Sequence, residues 1–575
     1  MPVTLSSRTQ HLTQSSLFKP TYGIDLSLKE RTKLVYDRAR AIARTYKLTP
    51  HDVTALTEKF WAVTADNIFA IDSSAIILLT IQYNLAAGTL APFAEHRPEL
   101  RPLLDQMLNF DISAQFLLTE LGHGLDARNL ETTATLLPSG EYDLHTPRLE
   151  ASKYMPPTGV VEGMDRVAIV MARLIVDGDD RGIRPFVVLL STNGRMCEGV
   201  TSRLLPGRPG TEALDHAVTR FNHVRLPSSA LLGDHKKPTD FRANFMSCIH
   251  RVSIGSLAVS LVVIPSLSVS AYIAAKYSLQ RTVAVGPDSA SGPPTRAPIW
   301  NFRTQQIPIL RAFAQVEVMK AFANEAITSY TNTKTSLDPR TRAGIACCVK
   351  AFLAQQGEGS LSALSERCGA QGLFNYNQIA STQLAIRGAI VAEGDVLALC
   401  IRLASELLIG RYELPAPRHP RCLLALHEKA FFERCRALLA SIGDHRSELF
   451  NQRILPLCRP LIEAISHRMA YEAALDSGTV HKPLLDLYEI SAIRLYGAWF
   501  AEQRELEMGV SRQQELEEAA YIEASDAKLY AQAPILHKDS FDTFIDGLRT
   551  SGDALRQSVT DIGIESPFMH ISARL

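Results

Sequence analysis

Between Leu28 and Asn109, apolar residues recur at the three- and four-residue spacing of helices, with Lys, Glu and Arg between them; Pro92, Pro98 and Pro102 mark expected breaks. The character changes after Ser113. Val167–Val176 and Pro185–Leu190 are short β-prone runs punctuated by Gly178, Gly182, Gly194 and Gly199, so a β unit is expected as far as Leu232. Helical spacing returns from about Phe241, and Ile309, Ala312, Phe313, Val316, Met319, Ala323, Ala326 and Ile327 form one apolar face that reads as bundle core. Val283–Pro298, rich in Gly, Pro and Ser, reads as a loop. Further helices are expected from Pro415 to Ile535, with the charged stretch Glu502–Glu518 as a solvated face. The pattern therefore describes a mostly α chain with an inserted β domain. Its four units are helical 1–112, β 113–240, helical bundle 241–425 and C-terminal helical 426–575.

One uncharged run, Val252–Ala275, is long enough to cross a bilayer. It carries Ser253, Ser256, Ser260, Ser266, Ser268 and Ser270, together with Gly255 and Pro265, and lacks an aromatic belt at both ends. A helix buried in a bundle is expected there, and no membrane span. The bulk numbers fit that picture, since 46% apolar and 21% charged residues are ordinary for a globular protein. Sixty basic against sixty acidic side chains provide no field for a polyanion, so nucleic acid is not an expected partner. The nine cysteines form no C-x-x-C pair and no zinc spacing, which reads as reduced thiols with no metal site. Met1-Pro-Val-Thr-Leu5 does not open a secretory signal, whereas Ala573-Arg574-Leu575 fits the small-basic-leucine pattern of a peroxisomal address; a cytoplasmic location is the alternative.

Two short segments carry chemistry. In Thr119-Glu-Leu-Gly-His-Gly124, Gly122 and Gly124 lack a Cβ and let backbone approach a flat ring, while Thr119 offers hydrogen-bonding groups. In Ala392-Glu393-Gly394-Asp395, Glu393 falls at a loop-to-helix junction beside apolar residues, surroundings that raise a carboxyl pKa. Taken alone, both acids of this segment also suit a helix N-terminus through the macrodipole.

Together these segments resemble the acyl-CoA oxidase family. Thr119–Gly124, followed at the family's offset by Glu131-Thr-Thr-Ala-Thr135, is similar to the flavin-contacting entry to the middle domain. Glu393-Gly-Asp resembles the turn that carries the catalytic glutamate, and Arg367-Cys-Gly-Ala-Gln-Gly372 resembles the Cys-Gly-Gly-His-Gly piece near the cofactor. Tyr277-Ser-Leu-Gln-Arg281 looks like Tyr-Ser-x-x-Arg, whose arginine reaches the FAD pyrophosphate, commonly across a dimer interface. Arg303-Thr-Gln-Gln306 resembles the opening of the next helix, and the likeness spans Leu118 to Leu408.

The resemblance implies an FAD enzyme, a homodimer with an extra C-terminal helical domain, that converts an acyl-CoA or related acyl thioester to the 2-enoyl thioester and reduces O2 to hydrogen peroxide. It makes Glu393 the catalytic base and Thr119, Gly124, Arg281, Gln305, Gly369, Gly372 and Asp395 the cofactor contacts. A dehydrogenase using another electron acceptor, or a non-redox binding or scaffold homologue, are the alternatives. The chain departs from the family at Lys153-Tyr-Met-Pro-Pro-Thr158, where Lys-Trp-Trp-Pro-Gly-Gly is usual, and at Leu214-Asp-His-Ala217, where an Asp-Asn-Gly turn is usual. Bulkier Pro157 and Thr158 beside the flavin are expected to change oxygen reactivity and substrate shape, which implies an unusual acyl group.

Overall fold

A computed structural model of the chain describes residues 7–18, 26–211, 213–285, 295–331 and 337–502. The charged stretch after Glu502 and the Ala573–Leu575 tripeptide lie outside the described residues. Helices occupy both sides of an inserted set of β-sheets, the arrangement the periodicity predicts. The first long helix, Leu28–Tyr46, starts at a capping box between Ser27 and Glu30 and stops where Lys47 adopts a left-handed φ of 48°. Its apolar stripe of Val35, Ala39, Ile42, Ala43 and Tyr46 is buried.

The apolar stretch Ser73–His96 follows, and its backbone is irregular at Ile81–Ala87, a π-helical turn. There Gln82 donates to the Met107 and Ile112 carbonyls and Tyr83 donates to Leu108, fixing the chain as it enters the sheet. Pro92, an expected break, instead lies inside Gly88–His96, just after that irregular turn. Pro98 and Pro102 do open new elements.

The central hairpin pairs Arg166–Val176 with Asp179–Thr192 across Asp177-Gly178, both at positive φ (52° and 75°), as a two-residue Asp-Gly turn requires. Ser113–Leu117 and Thr133–Leu136 run parallel to Arg166–Val176, and a separate sheet is ordered Lys153–Pro157, His216–Phe221, Val200–Leu204. A buried ion pair joins the two sheets. Lys153 Nζ lies 2.9 Å from Glu120 Oε1 and donates to the Met171 carbonyl, while Glu120 accepts the N–H groups of Glu131 and Thr132. Three segments singled out in the sequence thus share one polar network. Lys153→Met leaves the Glu120 carboxylate buried without its cation and is expected to destabilise the protein by about 3–5 kcal/mol, read as a lower urea midpoint.

In the bundle, the run expected as one helix over Val252–Ala275 is two, His250–Ser260 and Val263–Gln280, interrupted at Leu261-Val262. Most of it is buried, and Ser266 and Ser278 return their hydroxyls to backbone carbonyls one turn earlier. Arg303–Thr331 and Pro339–Arg367 pack beside it, with Ile309, Ala312, Val316, Met319, Ala323, Ala326 and Ile327 all buried. The ends of the expected Val283–Pro298 loop pair as short strands, Thr282–Ala284 with Arg296–Pro298, because backbone hydrogen bonding across the ends overrides composition. Two helices, Ile379–Val391 and Val396–Leu408, flank the turn that carries Glu393. Beyond them, Leu455–Ser477 is tied to Leu423–Ile442 by Arg468, which bridges Glu428 and Glu472.

Candidate active site

Glu393 stands at φ 53°, a left-handed position that a non-glycine residue adopts only where its surroundings hold it. Those surroundings are specific. Lys350, from the Pro339–Arg367 helix, donates to the Ala392 carbonyl and, at 2.7 Å, to Gly394; Ser256 donates to the Glu393 carbonyl at 2.5 Å. Side chains from two helices thereby satisfy three successive carbonyls, and the turn cannot relax without stranding them. Asp395 has a different task, since its Oδ1 accepts the Ala398 N–H at 3.0 Å and caps the next helix.

With its backbone fixed, the Glu393 side chain enters the space that Gly255 leaves empty. A Cβ on Gly255 would lie 1.1 Å from Glu393 Oε2. Asn84, from the π-helical turn, donates to the same oxygen at 3.0 Å. Arg251 is held by the Asn84 and Val53 carbonyls, and its passage depends on Gly88, where a Cβ would lie 2.2 Å from Arg251 Nε.

Burial is the largest influence on Glu393 and pushes its pKa well above the usual carboxylate range, against the opposing pull of Lys350, Asn84 and Arg251. Burial likewise lowers Lys350 and Arg251. Two buried atoms here have no hydrogen-bond partner, Asn84 Oδ1 and Arg251 Nη2. An enclosed carboxyl with a raised pKa beside an unused acceptor and an unused donor can take a proton and orient a polar group.

The remaining sequence-derived residues form two groups. In the β domain, the Thr119 carbonyl accepts from Tyr154 N–H, its hydroxyl takes no partner among the described residues, and a Cβ on Gly124 would meet nothing within 4 Å. Gly122 is packed instead, with Glu150 Cβ 3.0 Å from the position of its missing Cβ. In the bundle, Gln305 donates to Ser278 at 2.8 Å and to the Arg367 carbonyl at 2.7 Å, and so draws Tyr277–Arg281, Arg303–Gln306 and Arg367–Gly372 into one cluster. Arg281 and Gly369 are exposed there. Gly372 is buried because a Cβ would strike the Ser365 carbonyl at 2.1 Å, so its small size serves packing.

Pro157 and Thr158 are the residues expected beside the flavin. Both are buried, and the Thr158 hydroxyl bonds Thr219 and Ser202 inside the small sheet, leaving Tyr154, Met155 and Pro156 partly exposed. Sequence reasoning missed Asn84, Arg251, Gly255, Ser256 and Lys350. The available signal was a single amide or cation inside an apolar helix, as in Cys347-Cys-Val-Lys-Ala-Phe352.

A family model described as acyl-CoA oxidase, C-alpha1 domain, matches residues 256–408, which include Ser256, Lys350 and the Glu393 turn. The peroxisomal acyl-coenzyme A oxidase 2 of Arabidopsis thaliana is 25% identical over 418 residues, 67% of this chain and 58% of its own length. The chain is thus distantly similar to acyl-CoA oxidases in the part that holds the Glu393 turn. It spans little more than half the length of that plant relative. Among solved structures, acyl-CoA oxidase 1 of Yarrowia lipolytica superposes with a TM-score of 0.79 at 17% identity, covering 98% of this chain and 91% of that one. Acyl-CoA oxidase-1 of Caenorhabditis elegans, complexed with FAD and ATP, has a TM-score of 0.64 at 17% identity and covers 89% and 88%. The described residues thus share the fold of these solved acyl-CoA oxidases.

Proposed function

We propose that this protein is an FAD-dependent acyl-CoA oxidase that converts an acyl-CoA to its 2-enoyl thioester, with Glu393 as the base for the α proton. The observation that carries the reading is the Glu393 carboxyl, enclosed beside Asn84, Arg251 and Gly255 and displaced toward neutral pH. A base poised there can accept a weakly acidic proton that an ordinary surface carboxylate would not hold.

FAD would supply the hydride acceptor, and the open surface beside Gly124 and the unpartnered Thr119 hydroxyl fit a flat ring brought against backbone. Arg281, exposed and without a side-chain partner among the described residues, is available to a phosphate held with a second copy of the chain. Arg251 Nη2, a buried donor without a partner, suits the thioester oxygen as negative charge develops.

A cavity of about 220 Å³ has room for a phosphate-bearing part of coenzyme A, not for the whole carrier. It lies between the β domain and the Phe241–Cys248 helix and is lined by Arg128, Arg173, Phe241 and Arg242. Arg173 is engaged by Asp180, whereas the Arg128 and Arg242 side chains have no partner among the described residues and could meet a phosphate. Location follows the relatives named as peroxisomal, and the same compartment is proposed here.

Purified protein is expected to be yellow and to bleach anaerobically with an acyl-CoA; a colourless protein that does not bind added FAD refutes the reading. Slow reoxidation in air would instead indicate a dehydrogenase. The reaction needs Glu393 unprotonated, so kcat/KM is expected to rise with pH through a limb above the ordinary glutamate value of about 4.3. A limb at that ordinary value would contradict the enclosure.

A further inference from the structure

The amide of Asn84 is fixed on every side but one. Its nitrogen donates to the Arg251 carbonyl and to Glu393 Oε2, each at 3.0 Å, while the Asn84 backbone carbonyl accepts Arg251 Nε at 2.8 Å. The two bonds from the nitrogen use both of its N–H groups, and both partners are acceptors, so the nitrogen faces them and Oδ1 faces elsewhere. Oδ1 is buried and without a partner among the described residues, on a residue only 1% exposed. The Thr89 hydroxyl, five residues on, is also buried and unpartnered, so it does not meet this oxygen.

With the nitrogen 3.0 Å from Glu393 Oε2, ordinary amide dimensions put Oδ1 within about 5 Å of the carboxyl. A base that takes the α proton has the α carbon against it, at about 3–3.5 Å. Asn84 Oδ1 therefore belongs to the wall around the reacting carbons. Buried polar groups are ordinarily satisfied, so an acceptor on that wall points to a donor that the chain does not supply. The α and β carbons become the double bond, which makes the γ carbon the first that can carry a polar group through the reaction unchanged. Space here is narrow, since a Cβ on Gly255 would lie 2.5 Å from Asn84 Nδ2. The smallest oxygen group that donates is a hydroxyl.

Resting on the proposed oxidase reading, we infer that Asn84 is a specificity-determining residue whose Oδ1 accepts a hydrogen bond from a hydroxyl on the γ carbon, so that the preferred substrate is a 4-hydroxyacyl-CoA. A plain alkyl chain leaves the acceptor stranded, and a carbonyl at the same carbon sets a second acceptor against it. The hydroxyl is retained in the product, because only the α proton and the β hydride leave.

The test uses the FAD-loaded enzyme with octanoyl-CoA and freshly prepared 4-hydroxyoctanoyl-CoA. Wild type is expected to favour the hydroxy thioester in kcat/KM by about tenfold. Asn84→Ala should bring the ratio to about one. A residue that only steadied Glu393 would lower both rates alike, so a ratio unmoved by Asn84→Ala overturns the inference, as do equal values in wild type. The Glu393→Gln protein supplies a readout without turnover, its calorimetric affinities for these two thioesters and for 4-oxooctanoyl-CoA, which has the same length and no donor. The hydroxy thioester is expected to bind about tenfold tighter than either of the others. That order, abolished when Asn84→Ala is added, sustains the recognition even if wild type bleaches with neither thioester and the oxidase reading fails. Equal affinities, 4-oxooctanoyl-CoA bound as tightly as the hydroxy thioester, or no binding of any of the three overturns it. Should Asn84→Ala not fold, the order among the three thioesters decides alone.

Discussion

Glu393→Gln is expected to abolish anaerobic bleaching of the flavin, lowering its rate by about 10²- to 10⁴-fold, while the purified protein keeps its FAD. Glutamine preserves the side chain's size and can still meet Asn84, so the change removes the proton acceptor and little else. Burial favours the neutral form at this position, and the uncharged amide should leave the melting temperature unchanged or slightly higher. Stopped-flow absorbance near the flavin band measures the rate, and the absorbance ratio of the purified protein measures FAD content. Bleaching at the wild-type rate would remove Glu393 from the chemistry. Loss of FAD with the rate would make it a structural residue.

Gly255→Ala is expected to cost about 10²-fold in kcat/KM without touching the base itself. The added methyl would lie 1.1 Å from Glu393 Oε2 and 2.5 Å from Asn84 Nδ2, so the carboxyl must leave its place. A displacement of an ångström at a reacting group commonly has a consequence of that size. The turn is held by Lys350 and Ser256 through its carbonyls, which should confine the displacement to the side chain. Gly124→Ala is the control, since its Cβ would meet nothing within 4 Å; folding should be unaffected and only FAD affinity should fall. Equilibrium FAD titration and steady-state kinetics separate the two glycines. Wild-type kinetics in Gly255→Ala would show that the carboxyl works from another position.

Much of the architecture is legible locally. Asp177-Gly178 between two β-prone runs specifies a hairpin, and Ile309 to Ile327 specify a buried helix face, because turn chemistry and periodicity act over a few residues. Where irregular backbone intervenes, the local reading fails: Pro92 sits inside the helix that follows the π-helical turn, and the break at Leu261-Val262 divides an apolar run that composition reads as continuous. Glu393 and Asp395 look alike in sequence, two acids before a helix. The structure gives one the cap and turns the other inward.

The sequence alone determined the order of helices and strands, the likeness to the acyl-CoA oxidase family, and the carboxylate with the best claim to the chemistry. Only the tertiary structure decided what that carboxylate meets: Asn84, Arg251, Gly255 and Lys350 reach it from three helical segments, the first 309 positions away in the chain. It alone decided, too, that the His216 ring bonds the Met155 carbonyl, 61 positions earlier. The reason is physical. Element formation depends on spacing that neighbouring residues carry, whereas desolvation, and with it the protonation of a buried acid, depends on which distant surfaces close around it.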